Sequence, residues 1–335
     1  MIKVLVVDDS SFMRANIKTL LISADDIEVV GIARTGREAI DKTKALKPDV
    51  ITMDINMPDM SGIDAVEYIM KIHPVPIIMV SSLTFEGAEE TIRALEKGAV
   101  DYINKAKLNK ETLISKIRMA AAASVNIAAL GSKEHIPASS VKHTFKIIGI
   151  GISTGGPRAL AKFLPELSPD ISASIVIAQH MPPLFTKSLA ERLNAECKIK
   201  VKEAEDGELL LPGCAYILPG GKHGKLNNNG TVSLYTKEEF PEQLYTPSAD
   251  LLISSMAHIY KNKALCIIMT GMGNDGLEGA REIKKHGGYV ITQSESTSTI
   301  FGMPKAVIQN NLYDEIVHLD DLGLRINQLS IRGQQ

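Results

Sequence analysis

Lys146-Ile147-Ile148-Gly149-Ile150-Gly151-Ile152 is a short apolar run that stops on Ser153. Two later stretches are built the same way. Ala173-Ser174-Ile175-Val176-Ile177-Ala178-Gln179 delivers His180, and Leu265-Cys266-Ile267-Ile268-Met269-Thr270 opens into Gly271-Met272-Gly273-Asn274-Asp275-Gly276. Apolar runs of this length, bounded by turn residues and followed by helical stretches, read as buried parallel strands. In an open α/β sheet the carboxyl ends of such strands face one crevice. A serine is a weak nucleophile until an imidazole takes its proton and a carboxylate orients that imidazole. Ser153, His180 and Asp275 are therefore the candidate nucleophile, base and orienting acid.

Each residue also has a plainer reading. Ser153 could cap the helix that Pro157 starts, and Asp275 could cap a helix beginning near Leu277. His180 could be a satisfied strand-end histidine, held by Met181-Pro182-Pro183. Three such residues at three strand ends outweigh the separate plain readings. A dinucleotide site is the main rival, because Gly149-Ile150-Gly151 lies between a strand and a helix. That fingerprint needs glycine where Thr154 stands and an acid where Gln179 and His180 stand, so it fails twice. Gly-Ile-Ser-Thr-Gly-Gly is not the Gly-x-Ser-x-Gly elbow, and the chain order Ser, His, Asp differs from that of an α/β-hydrolase. Backbone amides at Gly155 and Gly156, or in the loop around Gly271 and Gly273, could stabilise an oxyanion.

The amino-terminal half alternates strand and helix: Lys3–Val7, a helix from about Ser11, Glu28–Ala33, a helix from Gly36, then Val50–Met53. Polar residues again close the strands, with Asp8 and Asp9 after the first, Asp54 after the third, Ser81 after Ile77–Val80 and Lys105 after Val100–Asn104. Three converging carboxylates repel unless a hard divalent cation sits among them, and oxygen ligands suit Mg²⁺. A phosphoryl group on Asp54 would need that ion, a hydroxyl such as Ser81 and an ammonium such as Lys105 to neutralise its oxygens.

Both halves resemble known families. Asp8-Asp9, Asp54-Ile55-Asn56-Met57-Pro58 with Gly62, Ser81 and Lys105 are similar to the receiver domain of two-component signalling. Gly151-Ile152-Ser153-Thr154-Gly155-Gly156, Gln179-His180-Met181-Pro182, Thr270–Gly276 and Phe301-Gly302-Met303-Pro304 resemble the catalytic domain of the chemotaxis protein-glutamate methylesterases, and together the motifs cover nearly the whole chain. The resemblance implies two doubly wound parallel α/β domains: a flavodoxin-like receiver at 1–123 and, after a flexible linker at 124–144, a Rossmann-like esterase domain at 145–335. It implies that Asp54 is the phosphoacceptor. Asp9, Asp54 and the Asn56 carbonyl would hold Mg²⁺, with Asp8 acting through water. Ser81 and Tyr102 would be the switch pair and Lys105 the phosphate-binding lysine. In the second domain it assigns Ser153 as nucleophile, His180 as base and Asp275 as its orienter, with Thr154 and Met272 lining the site and no cofactor. The implied activity is phosphorylation-activated hydrolysis of glutamate methyl esters on cytoplasmic helices of chemoreceptors, with glutamine deamidation in many members and a chemotaxis histidine kinase as phosphodonor. Lys105 is followed by Ala106, where receivers commonly carry proline, and the segments 220–223 and 245–250 follow the family pattern only loosely.

Composition bounds the same reading. At 335 residues and 44% hydrophobic content the chain supports two cores better than one. The cut falls between about Ala123 and Lys146, where an alanine-rich stretch runs into Gly131-Ser132-Lys133-Glu134-His135-Ile136-Pro137-Ala138-Ser139-Ser140. With Lys+Arg 37 against Asp+Glu 39 and no basic run, the footprint of a nucleic-acid-binding output is missing. Three cysteines without metal spacing imply reduced thiols in a cytoplasmic protein. No apolar run reaches the ~18 residues of a membrane span. Asn227-Asn228-Asn229-Gly230 reads as a hairpin turn. Two rivals to the esterase reading follow from the residues: a receiver whose second domain only docks partners, and a pyridine-nucleotide oxidoreductase.

Overall fold

The structure, a computed structural model, describes residues 1–81, 85–127 and 145–330. The chain divides into two compact units, Met1–Gly131 and Ser132–Gln335. In the first, strands β1 (Ile2–Val7), β2 (Ile27–Ala33), β3 (Val50–Asp54), β4 (Ile77–Ser81) and β5 (Asp101–Asn104) alternate with helices α1 (Ser11–Leu21), α2 (Gly36–Leu46), α3 (Gly62–Ile72), α4 (Phe85–Glu96) and α5 (Lys110–Ile127). The sheet is parallel in the order β2-β1-β3-β4-β5, the flavodoxin-like order whose switch point lies between β1 and β3. Helix starts are set locally: Ser10, Thr35 and Ser61 each accept a backbone N–H of the first turn. Helix α5 continues through Ile127, so residues 124–127 are helical where the sequence reading begins a linker. The alanine run 120–123 favours that extension. The rest of the expected linker, 128–144, lies outside the described residues.

The second unit contains β6 (Ile147–Ile152), α6 (Gly156–Phe163), β7 (Ser174–Gln179), α7 (Phe185–Glu196), β8 (Lys200–Glu203) and β9 (Cys214–Ile217). A hairpin of β10 (Lys222–Leu226) and β11 (Val232–Thr236) follows. Then come α8 (Ala249–Tyr260), β12 (Ala264–Ile268), α9 (Leu277–Lys285), β13 (Tyr289–Gln293), α10 (Met303–Gln309), β14 (Glu315–Val317) and α11 (Leu319–Ser330). Seven strands form one parallel sheet in the order β14-β13-β12-β6-β7-β9-β8. Strand β6 is central: it is followed in sequence by β7 on one side and borders β12 on the other. The order reverses there, and a ligand crevice is expected at the strand ends. The hairpin read from Asn227–Gly230 is present, with Lys222 opposite Thr236 and Leu226 opposite Val232.

Gly149 and Gly151, which resemble part of a nucleotide loop in sequence, serve packing. A Cβ on Gly149 would lie 2.8 Å from Met256 Sδ, and one on Gly151 would lie 2.8 Å from Ala249 Cβ. Both contacts come from α8, which therefore lies close against the sheet, with Ala249, Leu252, Ile253 and Met256 fully buried. This approach places the amino terminus of α8 beside the strand ends that carry the candidate triad. Among the described residues no helix is long and apolar enough to cross a membrane, and Cys197, Cys214 and Cys266 are free thiols.

Candidate active site and carboxylate cavity

Ser153 and His180 follow the last residues of paired strands: Ile152 is in register with Gln179, the His180 amide donates to Ile152 O at 3.1 Å, and the Ser153 amide donates to Thr270 O at 2.9 Å. His180 Nε2 lies 2.7 Å from Asp275 Oδ2, and both side chains are almost fully buried. An ionised carboxylate only accepts, so Nε2 carries the proton and Nδ1 holds the lone pair. Nδ1 is buried and has no hydrogen-bond partner, which leaves it as the nitrogen free to take a proton. It is not bonded to the Ser153 hydroxyl, a contact that commonly tightens only when substrate is bound.

The two helix-cap readings of the sequence do not hold. Gly155, not Ser153, is the N-cap of α6, and Gly276, not Asp275, is that of α9. Asp275 instead turns toward the start of α8. Its Oδ2 accepts from the Ala249 amide at 2.7 Å, and its Oδ1 accepts from the Asp250 amide at 2.9 Å and from Ser248 Oγ at 3.1 Å. Burial alone would raise this carboxyl. The His180 bond and charge, with the amides of Ala249 and Asp250, outweigh it and hold Asp275 below the usual carboxylate range. The partial positive charge of the helix start acts in the same direction.

Asp250 returns the arrangement: its Oδ1 accepts from Gly276 N at 2.9 Å and Gly279 N at 2.8 Å, at the start of α9. Each helix is thus capped by a carboxylate at the start of the other. Burial, then the negative charge of Asp275, pushes the Asp250 carboxyl up to about 7. The folded state therefore holds this proton more tightly than the unfolded chain, and its contribution to stability is lost as pH rises through the folded pKa. Asp250→Asn keeps an acceptor for both amides without the charge. Its stability relative to wild type should rise by on the order of 1 kcal/mol between about pH 6 and pH 8, read by urea unfolding. A difference flat across that range contradicts the shared-charge account.

Several supporting residues were not singled out from sequence. The Gln179 amide donates to Ser153 O at 3.0 Å, and a Cβ on Gly156 would fall 1.9 Å from Gln179 Oε1, so that glycine makes room for the brace. Tyr245 lies flat on the His180 ring, with centroids 4.5 Å apart and planes 2° from parallel. Ser248 caps α8 and bridges Asp275 to Gln243, while its amide donates to buried His223 Nδ1 at 3.2 Å. Ser248 three residues before Leu251 is an N-cap signal that sequence offers; the Tyr245 stack has none. The Gly156 amide is committed to Ser153 O at 2.8 Å and the Gly271 amide to Ile300 O at 3.0 Å, which removes two of the oxyanion donors considered from sequence. Thr154 O accepts from Thr270 Oγ1 at 2.9 Å, and Met272 projects an exposed side chain from the glycine loop. The Phe301–Pro304 motif closes this loop, with the Gly302 and Met303 amides donating to Gly271 O at 3.0 and 2.9 Å.

In the first unit, carboxylate oxygens of Asp8, Asp9 and Asp54 lie within 4.8 Å of one another. Lys105 Nζ sits 2.7 Å from Asp54 Oδ2 and 3.2 Å from Asp8 Oδ2. Asp8 is fully buried, and its Oδ2 has no well-directed hydrogen bond. Three clustered carboxylates, two of them buried and offset by a single ammonium, form an all-oxygen set that fits a hard cation such as Mg²⁺. The neighbouring cavity of about 250 Å³ is lined by Asp9, Asp54, Asn56, Ser81, Glu90 and Lys105. Burial pushes the Asp54 carboxyl up; Lys105 opposes this and Asp8 adds to it. Ala106, at the usual proline position, donates its N–H to Asn104 Oδ1 at 2.8 Å, which closes a short turn that still presents Lys105. Ser81 Oγ pairs with Thr91 Oγ1 at 2.8 Å. Tyr102 is half-buried against the core, with Lys116 Nζ 5.8 Å from its ring centre.

Comparison with known proteins identifies the family of each part of the chain. Residues 148–326 match the family model described as CheB methylesterase, and residues 4–118 match the response regulator receiver domain. A protein-glutamate methylesterase/protein-glutamine glutaminase of Lawsonia intracellularis is 44% identical, over 97% of this chain and 98% of its own length. Its namesake from Halalkalibacterium halodurans is 45% identical over 95% of each chain. The crystal structure of the Thermotoga maritima CheB methylesterase catalytic domain covers 56% of this chain and 99% of its own, with 42% identity and a TM-score of 0.53.

Proposed function

The chain belongs to the CheB methylesterase family and carries a response regulator receiver domain ahead of the catalytic part; on that premise we propose that Ser153, His180 and Asp275 carry out a phosphorylation-activated hydrolysis of glutamate methyl esters. The observation that carries the assignment is the His180–Asp275 bond at the strand end next to Ser153. Nδ1 of His180 takes the proton of Ser153 Oγ as that oxygen attacks the ester carbonyl. The imidazolium, held by Asp275, returns the proton to the departing methanol. Water then adds to the acyl-serine with His180 again accepting a proton, and the glutamate carboxylate is released. Amide hydrolysis of glutamine follows the same course with ammonia as the leaving group, in keeping with the double name of the relatives. The amide of Met272 is the donor we assign to the oxyanion, with Thr154 beside the serine.

We assign residues 1–127, through the end of α5, to the receiver and 145–335 to the catalytic domain, joined by 128–144. Asp54 accepts the phosphoryl group from a chemotaxis histidine kinase. Asp9, Asp54 and the Asn56 carbonyl hold Mg²⁺, with Asp8 behind them, and the ion when bound neutralises phosphoryl oxygens. Lys105 supplies the remaining positive charge, and Ser81 with Tyr102 transmits the change. The substrates are methylated glutamates on chemoreceptor helices, reached in the cytoplasm. Methanol release from methylated receptor should rise on addition of a small-molecule phosphodonor. Release that is absent under both conditions, from protein shown to be folded, refutes the reading.

Tyr245 adds a prediction. Stacking restrains rotation of the His180 ring and is worth roughly 1 kcal/mol. Tyr245→Ala should lower kcat by about fivefold with little change in KM, and Tyr245→Phe should restore it because the ring rather than the hydroxyl makes the stack. A Phe variant as impaired as the Ala variant would shift the role to the hydroxyl.

A further inference from the structure

The carboxyl-terminal parts of α8 and α9 hold a second polar cluster that the esterase does not use. His258 lies in the last turn of α8, and Glu282 and His286 lie one turn apart at the end of α9. One ligand atom from each falls within 4.8 Å of the others. His258 Nε2 is 3.6 Å from Glu282 Oε2, and the two imidazole centroids are 4.6 Å apart.

The hydrogen bonds assign the free atoms. Nδ1 of His258 lies 2.7 Å from Ser254 O, and Nδ1 of His286 lies 2.9 Å from Glu282 O. A carbonyl only accepts, so each Nδ1 carries the proton and each Nε2 of the neutral rings keeps a lone pair. Ligating histidines are commonly anchored in this way, with the outer N–H on a carbonyl or carboxylate. Glu282 Oε1 is paired with Lys285 at 3.2 Å, while Oε2 is buried without a hydrogen-bond partner. Oε2 lies 3.6 Å from His258 Nε2 and 3.7 Å from His286 Nδ1, so the His286 ring must turn to bring its Nε2 to a shared ion. Both helix ends also present the negative pole of their dipoles, which favours a cation there and offsets the Lys285 charge.

We propose that His258, Glu282 and His286 form a site for a divalent transition metal of the Zn²⁺ type, with three protein ligands and a fourth position for water. Two imidazoles and one carboxylate suit Zn²⁺, whereas the all-oxygen cluster of the first unit suits Mg²⁺. The ion would pin α8 to α9 at the end opposite the Asp275 and Asp250 caps, holding the helix pair that cradles the triad.

The test is titration of the full-length protein with Zn²⁺ in the presence of excess Mg²⁺, followed by calorimetry and by the thermal unfolding midpoint. Wild type should bind one ion tightly and unfold at higher temperature when loaded. His258→Ala and His286→Ala should each weaken binding at least about tenfold and abolish the thermal shift, while esterase turnover without Zn²⁺ stays unchanged and reports an intact fold. Absence of tight binding in wild type, or unchanged affinity in both variants, overturns the proposal; the second result would place the ion on other ligands.

Discussion

Ser153→Ala and His180→Ala each remove nearly all turnover, a loss on the order of 10⁴- to 10⁶-fold in kcat by comparison with other serine triads, and the double variant is little worse than either single. The non-additivity follows from the geometry. Nδ1 of His180 is useful only if a hydroxyl stands before it, and the Ser153 hydroxyl is useful only if that nitrogen takes its proton. Asp275→Asn should cost less than Ser153→Ala, yet it should also lower thermal stability. The carboxylate accepts from His180, the amides of Ala249 and Asp250, and Ser248 Oγ. An asparagine NH₂ in the Oδ2 position would face two donors, the His180 Nε2–H and the Ala249 amide, and the ring would be driven to its other tautomer. Steady-state methanol release and thermal unfolding on the same preparations separate the catalytic cost from the structural one. Near-normal activity in Ser153→Ala would remove the triad from the account.

Asp54→Ala loses all stimulation by a phosphodonor and keeps basal hydrolysis. The carboxylate that would accept the phosphoryl group is bonded to Lys105 and lies beside Asp8 and the cavity that includes Ser81. Phosphorylation adds about one to two negative charges and three acceptor oxygens there. Their pull on Lys105 and Ser81 must compete with the bonds those groups now make, to Asp8 and to Thr91, and this competition is the physical origin of the switch. A chelator should abolish phosphorylation and stimulation together while leaving the basal rate intact, because Ser153, His180 and Asp275 complete their chemistry without an ion. Basal activity lost on chelation would mean that the esterase step itself depends on a metal. Phosphorylation is best followed by mobility shift or an introduced fluorophore, since the chain contains no tryptophan.

The parallel α/β architecture and the positions of Ser153 and His180 just after neighbouring strands were legible because both rest on local patterns: a buried strand reads as an apolar run, and its end is marked by the polar residue that stops it. The carboxylates just after β1 and at the end of β3 were legible for the same reason. The residues that hold the triad in place were not. Tyr245 and Ser248 come from the irregular segment between the β10–β11 hairpin and α8, and Asp250 from the first turn of α8, with no periodicity to point them at a histidine 65 to 70 residues earlier. The glycines of β6 carried a signal of the wrong kind, since close approach of a helix and close approach of a phosphate both call for a missing side chain. Which imidazole nitrogen meets the acid, and whether Asp275 caps α9 or α8, depends on where helices pack. That is settled by tertiary contacts rather than by spacing along the chain.

The central claim is that Ser153 becomes covalently acylated during turnover. The direct measurement is peptide mapping by mass spectrometry after reaction with a slowly deacylating ester or a serine-directed phosphonate. The account predicts one adduct, on the peptide carrying Ser153, formed in wild type, strongly slowed in His180→Ala and absent from Ser153→Ala. An adduct on another residue, or turnover of methylated receptor by protein whose Ser153 is fully blocked, would contradict it.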